Sequence, residues 1–227
     1  ATLDVILPAL HGTNCEDGSF QGAIEMTGIP YAGCNVLASA NGMDKITMKM
    51  ILSESGIPVI EYAWFSDKEW LSEQEGVVER CEALSYPLIV KPTDSAGSKG
   101  CTRVDCEGEL MVAIQYAFKY TISGHIIIEE FLEKKGCSSD TDSYAQGGQL
   151  KFVSFSAQRF DANAVNPYTP SAYSWPSTFT KEEEEYLTSE IQRLITLLGM
   201  KTSVFNIEVR VATNNKPYIM ELTPRGG

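Results

Sequence analysis

Behind Thr180 the chain sorts its apolar and charged residues onto opposite sides of a helical wheel. Leu187, Ile191, Leu194, Ile195 and Leu198 recur at steps of three and four, and Glu182 to Glu185 crowd the start. Thr180-x-x-Glu183 has the form of a capping box, and Gly199 is placed to end the helix. Other stretches follow a different period. Ile126-Ile127-Ile128 lies in a β-branched run from His125 to Glu129 that predicts a central strand, and Tyr86 to Val90 is a compact apolar strand closed by Lys91-Pro92. Val204 to Val211 and Tyr218 to Leu222 predict two strands joined through Asn214-Asn215, and two further hairpin-like strands flank Gly147-Gly148. Near the start, Val5 to Leu10 reads as a buried strand and Tyr31 to Cys34 as a short one. Helices are predicted over 19–27, 44–55, from Ser66-x-x-Glu69 toward Leu84, and from Glu107 to Tyr120. Phe160 to Thr178 has no usable period, and loops of that length are usually functional or mobile. Helices separate strands early and antiparallel pairs dominate late, with no internal repeat, so the class is α+β.

The balance of charge narrows the partners. Eighteen Lys and Arg stand against 30 Asp and Glu, a net charge of −12. Such a surface repels phosphate backbones and argues against nucleic acid as a partner. A polyanion such as ATP would need a local exception built from a few placed cations and backbone N–H groups. The six cysteines have no C-x-x-C spacing, which points to reduced thiols of a cytoplasmic protein rather than a zinc ribbon or a disulfide framework. No apolar run reaches the roughly 18–20 residues needed to span a bilayer, so no membrane partner is expected. The opening apolar run without an initiator Met and the loop-like Arg225-Gly226-Gly227 suggest a fragment trimmed at both ends.

Three features carry chemistry. Lys91 is followed by Asp94-Ser95-Ala96-Gly97-Ser98-Lys99-Gly100, small residues whose backbone N–H groups can crowd onto phosphate oxygens between two lysines. By itself this loop is equally a plain turn. The strand at Ile126 runs straight into Glu129-Glu130-Phe131-Leu132, either a solvated strand end or a hinge that reads an adenine edge. Glu208 and Glu221 lie near the ends of two strands that a short turn sets side by side. Adjacent carboxylates repel unless a cation separates them, and Mg²⁺ with phosphate oxygens suits that place.

Taken in order, lysine, phosphate loop, hinge and paired acids resemble the ATP-grasp ligases over nearly the whole chain. Leu10 to Gly18, Gln21-Gly22, Gly28-Ile29-Pro30-Tyr31 and Met43-Asp44-Lys45 resemble D-alanine–D-alanine ligases. The later segments Thr93 to Gly100, Phe155 to Asp161 and Met220 to Gly227 look more like ATP-grasp proteins related to the carbamoyl-phosphate synthase large chain. The resemblance implies an ATP-grasp fold, two α+β subdomains clasping ATP, preceded by the tail end of a small α/β pre-ATP-grasp domain. The boundaries expected are 1–40 for that remainder and 41–227 for the ATP-grasp domain, with its subdomains meeting near 122–130 and its C-terminus cut.

By the same resemblance Lys45 and Lys91 contact ATP phosphates, and Ser95, Gly97, Ser98 and Gly100 belong to a phosphate lid that also carries Lys99. Glu129, Glu130, Phe131 and Leu132 hold adenine, with Glu133 in place of the ribose-binding Glu. Glu208 and Glu221 hold Mg²⁺ or Mn²⁺, His11 and Glu16 lie at the substrate end, and Arg225 and Arg159 hold the acyl phosphate or the substrate carboxylate. Several positions depart from the D-alanine pattern: Gly97 replaces a Ser, Phe160 falls near an expected Tyr, and Thr223 stands where a metal-binding Asn is expected. A Glu that the family carries near its N-terminus lies in a segment absent here. The activity implied is an ADP-forming carboxylate–amine ligase working through an acyl phosphate on small-molecule substrates. The alternatives are a D-alanine–D-alanine ligase proper and an ATP-binding module without chemistry. Ligases of this kind are often dimers, so a homodimer is expected.

Overall fold

The computed structural model describes residues 3–165 and 167–226. Ala1, Thr2, Asn166 and Gly227 lie outside the described residues, and with them the very start of the N-terminal stretch, one residue of the long loop and the last glycine of the closing motif. Two compact units are present, Ile60–Glu133 and the pair of segments Ala1–Val59 and Lys134–Gly227.

The larger unit opens without a regular strand. Val5 to Leu10, expected to be buried, makes a single parallel bridge, Ile6 with Tyr31, and Leu3, Val5 and Leu7 are exposed. One bridge supplies no sheet face against which an apolar run could be buried. Tyr31 to Cys34 likewise forms only that bridge. Three helices come next, α1 (Ser19–Glu25), α2 (Val36–Met43) and α3 (Lys45–Glu54). The second was not expected; Asn35 caps it, accepting from the Ala38 N–H at 2.8 Å. Asp44 caps α3 in the same way through the Thr47 N–H at 2.7 Å, which fixes Lys45 as the first residue of that helix.

The smaller unit holds β1 (Tyr62–Ser66), α4 (Asp67–Ser72), α5 (Gln74–Glu82), β2 (Leu88–Pro92), β3 (Thr102–Val104), α6 (Glu107–Ala117) and β4 (His125–Glu130). The stretch from Ser66 toward Leu84 is two helices, broken at Glu73, rather than one. Its sheet is antiparallel throughout in the order β1-β4-β2-β3. One face packs Phe65, Leu88, Val90, Val104, Ile126 and Ile128 against the apolar sides of α5 and α6. Strand alternation therefore puts Lys91, Ile127 and Glu129 on the opposite face. Strand β4 is central here, and the chain leaves this unit after Glu133.

Back in the larger unit the chain forms β5 (Ser139–Gln146), β6 (Gln149–Phe155), β7 (Ala157–Arg159), β8 (Ala172–Ser174), α7 (Lys181–Leu197), β9 (Ser203–Val211) and β10 (Pro217–Thr223). The main sheet runs β10-β9-β5-β6, all antiparallel, and β7 pairs with β8 separately. The expected loop from Phe160 to Thr178 thus contains the short strand β8. Helix α7 has both halves of its capping box, Thr180 and Glu183, and lays Leu187, Ile191, Leu194 and Ile195 on Phe205, Ile207 and Val209 of β9. Each such side chain, fully buried, contributes roughly 1.5–3 kcal/mol. All six cysteines are free; burial pushes the Cys34 and Cys81 thiols up to about 12, so both behave as small apolar core residues.

Helix α2 approaches β10 closely at one glycine. Gly42 of α2 faces Leu222 of β10, and a methyl group at Gly42 would stand 2.5 Å from Leu222 Cδ2 and 3.2 Å from its carbonyl oxygen. Ala normally stabilises a helix interior over Gly. Gly42→Ala is expected to do the reverse, lowering stability by about 1–3 kcal/mol through overpacking. Urea unfolding of the two proteins checks the sign.

Candidate functional site

In the larger unit, the face of the main sheet turned away from α7 is polar. Its centre is a row of three acids from three strands: Asp140 of β5 pairs with Glu208 of β9, and Glu208 pairs with Glu221 of β10. Directly paired residues share a face, with their Cβ atoms about 4.5–5.5 Å apart. A bulge makes the row possible. The register shifts between Ile219 and Glu221, so Met220 is looped out and Glu221, not Met220, stands opposite Glu208.

Each acid has its own partner. Arg210 donates to Glu208 Oε1 through Nε at 2.9 Å and approaches it through Nη2 at 2.7 Å. Lys45 Nζ lies 3.5 Å from Glu221 Oε1. The Tyr173 hydroxyl donates to Asp140 Oδ2 at 3.1 Å. Burial, then the negative charge of Glu208, holds the Asp140 carboxyl above its usual range, opposed by hydrogen bonds from Gln158 and Tyr173 and reinforced by Glu221. Burial and Asp140 together push the Tyr173 phenol up to about 12. Among the described residues, no three Asp, Glu, His or Cys side chains converge as a ready-made metal cage. The row is instead a set of hard oxygen donors held by cations and a phenol, which suits Mg²⁺ or Mn²⁺ rather than a softer ion.

Beside the row, Lys134 sits over the Phe160 ring, 4.3 Å from its centroid, and burial followed by the nearby Arg210 lowers its pKa. Arg159 donates to Ser174 Oγ at 3.3 and 3.2 Å and to Cys137 Sγ at 3.2 Å, not to an acid. Arg225 Nε donates to Glu16 Oε1 at 2.7 Å, joining two expected site residues 209 positions apart. Glu16 is buried and His11 is exposed.

The smaller unit carries the other expected residues. Lys91 Nζ lies 2.9 Å from Glu129 Oε2, and Glu129 is only 2% exposed. The loop after β2 is tied down at its start: Asp94 accepts from the Ile122 and Ser123 N–H groups, the shortest bond at 2.6 Å. Within it the Ser95 hydroxyl donates to the Lys99 carbonyl at 2.8 Å, and Gly97, Ser98 and Gly100 all have positive φ. At Gly100 a Cβ would meet Pro92 Cγ at 2.7 Å, so glycine is required there on two counts. Lys99 is exposed. At the end of β4 the Glu130 N–H bonds Glu61 and the Phe131 N–H bonds Pro87, whereas the Leu132 N–H has no partner among the described residues. Glu130 accepts from the Ser85 N–H at 2.8 Å, and Arg103 stacks on Phe131 at 4.3 Å while pairing with Glu133 at 3.3 Å.

Sequence reasoning missed Asp140, Tyr173, Gln158 and Arg210. The signal for Asp140 was weak but present: Ser139, Thr141, Ser143 and Ala145 alternate as small buried residues with Asp140 and Asp142 between them, a strand whose inward face is not hydrophobic enough to stand out. Because the Asp140 carboxyl titrates higher folded than unfolded, its ionised form opposes folding above the folded pKa, and that penalty fades as pH falls toward the ordinary value. Asp140→Asn is therefore expected to raise the urea midpoint at pH 7, with a gain that shrinks on acidification. An equal gain at all pH values would contradict the assignment.

The D-ala D-ala ligase C-terminus family model matches residues 51–227, and the D-ala D-ala ligase N-terminus model matches residues 1–34. The D-alanine–D-alanine ligase of Enterococcus gallinarum is 40% identical over 225 residues, covering 96% of this chain and 69% of that protein. That of Acetivibrio thermocellus is 47% identical over 131 residues, covering 57% of this chain and 34% of that protein. The chain thus spans between about a third and about two-thirds of the length of these two relatives. Among solved structures, the VanG D-Ala:D-Ser ligase from Enterococcus faecalis superposes with a TM-score of 0.84 at 26% identity, over 99% of this chain and 64% of that one. The D-alanine–D-alanine ligase of Coxiella burnetii, at 22% identity and a TM-score of 0.81, shares the fold. The match over 51–227 takes in the later segments that look like carbamoyl-phosphate synthase relatives, so that expectation is corrected: one family accounts for both parts of the chain. No helix among the described residues is long and apolar enough to cross a membrane. With its α+β ATP-grasp fold, the chain belongs to the D-alanine–D-alanine ligase family of C–N bond-forming ligases.

Proposed function

We propose that this chain serves an ADP-forming D-alanine–D-alanine ligase, with the row Asp140–Glu208–Glu221 as the observation that carries the reading. Three acids brought into one register across three strands, with lysine and arginine beside them, are of use where a divalent ion and phosphate must be held together. The two D-alanine–D-alanine ligases aligned to the chain, one of them over 96% of its length, support D-alanine as the substrate.

Each role has a chemical basis. Glu208 and Glu221 would hold the divalent ion, which when bound neutralises charge on the phosphates being cleaved. Lys45 and Lys91 supply positive charge toward the phosphates, and Ser95 to Gly100 offers them backbone N–H groups, with Lys99 beside them. The Leu132 N–H suits an adenine ring acceptor, with Glu129, Glu130, Phe131 and Glu133 shaping that end. The carboxylate of the first substrate attacks the γ-phosphoryl group and ADP departs. The amine of the second then attacks the acyl phosphate and releases phosphate. Arg225, held by Glu16, and Arg159 present guanidinium groups suited to a carboxylate or acyl phosphate. Water must be kept out, since it would hydrolyse the intermediate.

Phe160 and Gly97 cannot form the side-chain hydrogen bonds of the Tyr and Ser that the family resemblance leads one to expect. They favour a looser grip on the first D-alanine and a raised KM for it. Calorimetry with a non-hydrolysable ATP analogue, with and without Mg²⁺, tests the nucleotide site, and ADP release with D-alanine present or absent tests the substrate. Magnesium-dependent binding and D-alanine-dependent ADP release are expected. Glu221→Gln is expected to weaken the magnesium-dependent binding by about tenfold or more, a loss of roughly 1.4 kcal/mol. Unchanged binding in that variant would remove Glu221 from the metal site.

A further inference from the structure

Arg210 holds Glu208 in a way that competes with a metal ion. The two residues lie two apart on β9 and so share its polar face. Arg210 brings Nε to 2.9 Å and Nη2 to 2.7 Å, both on the same oxygen, Glu208 Oε1. A carboxylate oxygen has two lone pairs, and two N–H groups use both. Glu221 is held less closely: Lys45 Nζ stands 3.5 Å from its Oε1, farther than a charge-assisted hydrogen bond. A dication that took Glu208 would have to displace the guanidinium or stand against it.

The charge on this face is balanced from within the protein. Asp140, Glu208 and Glu221 are set against Arg210, Lys45 and Lys134, three acids against three cations. A bare dication gains little from a face neutralised in that way. One neighbour does not fit the balance. Lys134, over the Phe160 ring, is near enough to Arg210 for the guanidinium to add to the effect of burial in lowering its pKa. Two cations side by side repel unless an anion joins them. The guanidinium fork matches a phosphate, and Lys134 offers the same anion a second positive charge.

We infer that Arg210 is a movable counter-charge: it occupies Glu208 until nucleotide arrives, then turns to the polyphosphate beside Lys134, so that the divalent ion is taken up with nucleotide and not alone. The inference rests on the reading that Glu208 and Glu221 hold the nucleotide's metal, and it concerns the residue that keeps that place closed. A metal–nucleotide complex supplies both a replacement cation for Glu208 and a new anion for Arg210. A bare ion supplies only the first and leaves the guanidinium facing a like charge. Arg210 is thus a positioning residue that makes the two affinities depend on each other, and such coupling is reciprocal.

The test is Mn²⁺ binding to the full chain, with and without a non-hydrolysable ATP analogue, read by electron paramagnetic resonance of the free ion. In the wild type the analogue is expected to tighten Mn²⁺ binding about tenfold or more. Arg210→Gln is expected to bind Mn²⁺ alone about tenfold more tightly than the wild type, and to lose most of the enhancement by the analogue. A merely structural arginine would weaken both measurements together. Arg210→Lys, which keeps the charge, is expected to keep bare Mn²⁺ weak and to retain the enhancement. Arg210→Met takes the place of the glutamine variant if that one fails to fold. Bare Mn²⁺ bound no more tightly once the guanidinium is removed overturns the inference, and so does an undiminished enhancement. Either result, with metal-dependent nucleotide binding intact in the wild type, leaves the ligase reading standing. Absence of that binding in the wild type overturns the ligase reading itself, and this inference with it.

Discussion

Three carboxylates placed in register on adjacent strands repel one another, and the larger unit is arranged around that repulsion. Glu208 is answered by Arg210 two residues further along its own strand, Glu221 by Lys45 at the start of α3, and Asp140 by the hydroxyl of Tyr173 on β8. Each answer comes from a different element, so the row ties α3 and β8 to the sheet. The Asp140 carboxyl, partnered by a phenol rather than a cation, is held above its usual range first by burial and then by the charge of Glu208.

The sheet achieves this with a sharp division of its two faces. Toward α7 it presents Phe205, Ile207 and Val209 with the small hydroxyl residues Thr141 and Ser143, whose side chains lie 2.8 Å apart. Away from α7 it presents the row of three acids. A single bulge at Met220 decides which β10 residue joins the row, because a slip of one residue exchanges the faces of a strand. Gly42 bears on the same strand from α2, at Leu222, the residue that comes after Glu221. Packing on the apolar face and chemistry on the polar face are thus coupled through the position of β10.

The smaller unit uses the same device at lower charge. Its buried face holds the core against α5 and α6, and its other face pairs Lys91 with the almost fully buried Glu129. Burying a carboxylate is costly without a partner, and Lys91 Nζ supplies one at 2.9 Å. The loop after β2 is held by Asp94 at one end and by the glycine geometry of Gly100 at the other. Between those anchors lie the exposed Gly97 and Lys99, outside regular structure.

The sequence by itself determined the elements whose signals are local. The capping box and apolar stripe of α7, the β-branched β4, the β9–β10 pair around Asn214-Asn215 and the candidate lysines and acids were all legible, since periodicity and end signals act within a few residues. It over-read Val5 to Leu10, because an apolar run implies a strand only if a sheet receives it, and one bridge to Tyr31 does not. Asp140, Tyr173, Arg210 and the partnership of Arg225 with Glu16 were decided by tertiary structure alone. Their meaning depends on strand register, on a bulge and on contacts up to 209 residues apart, none of which leaves a periodic trace in the chain.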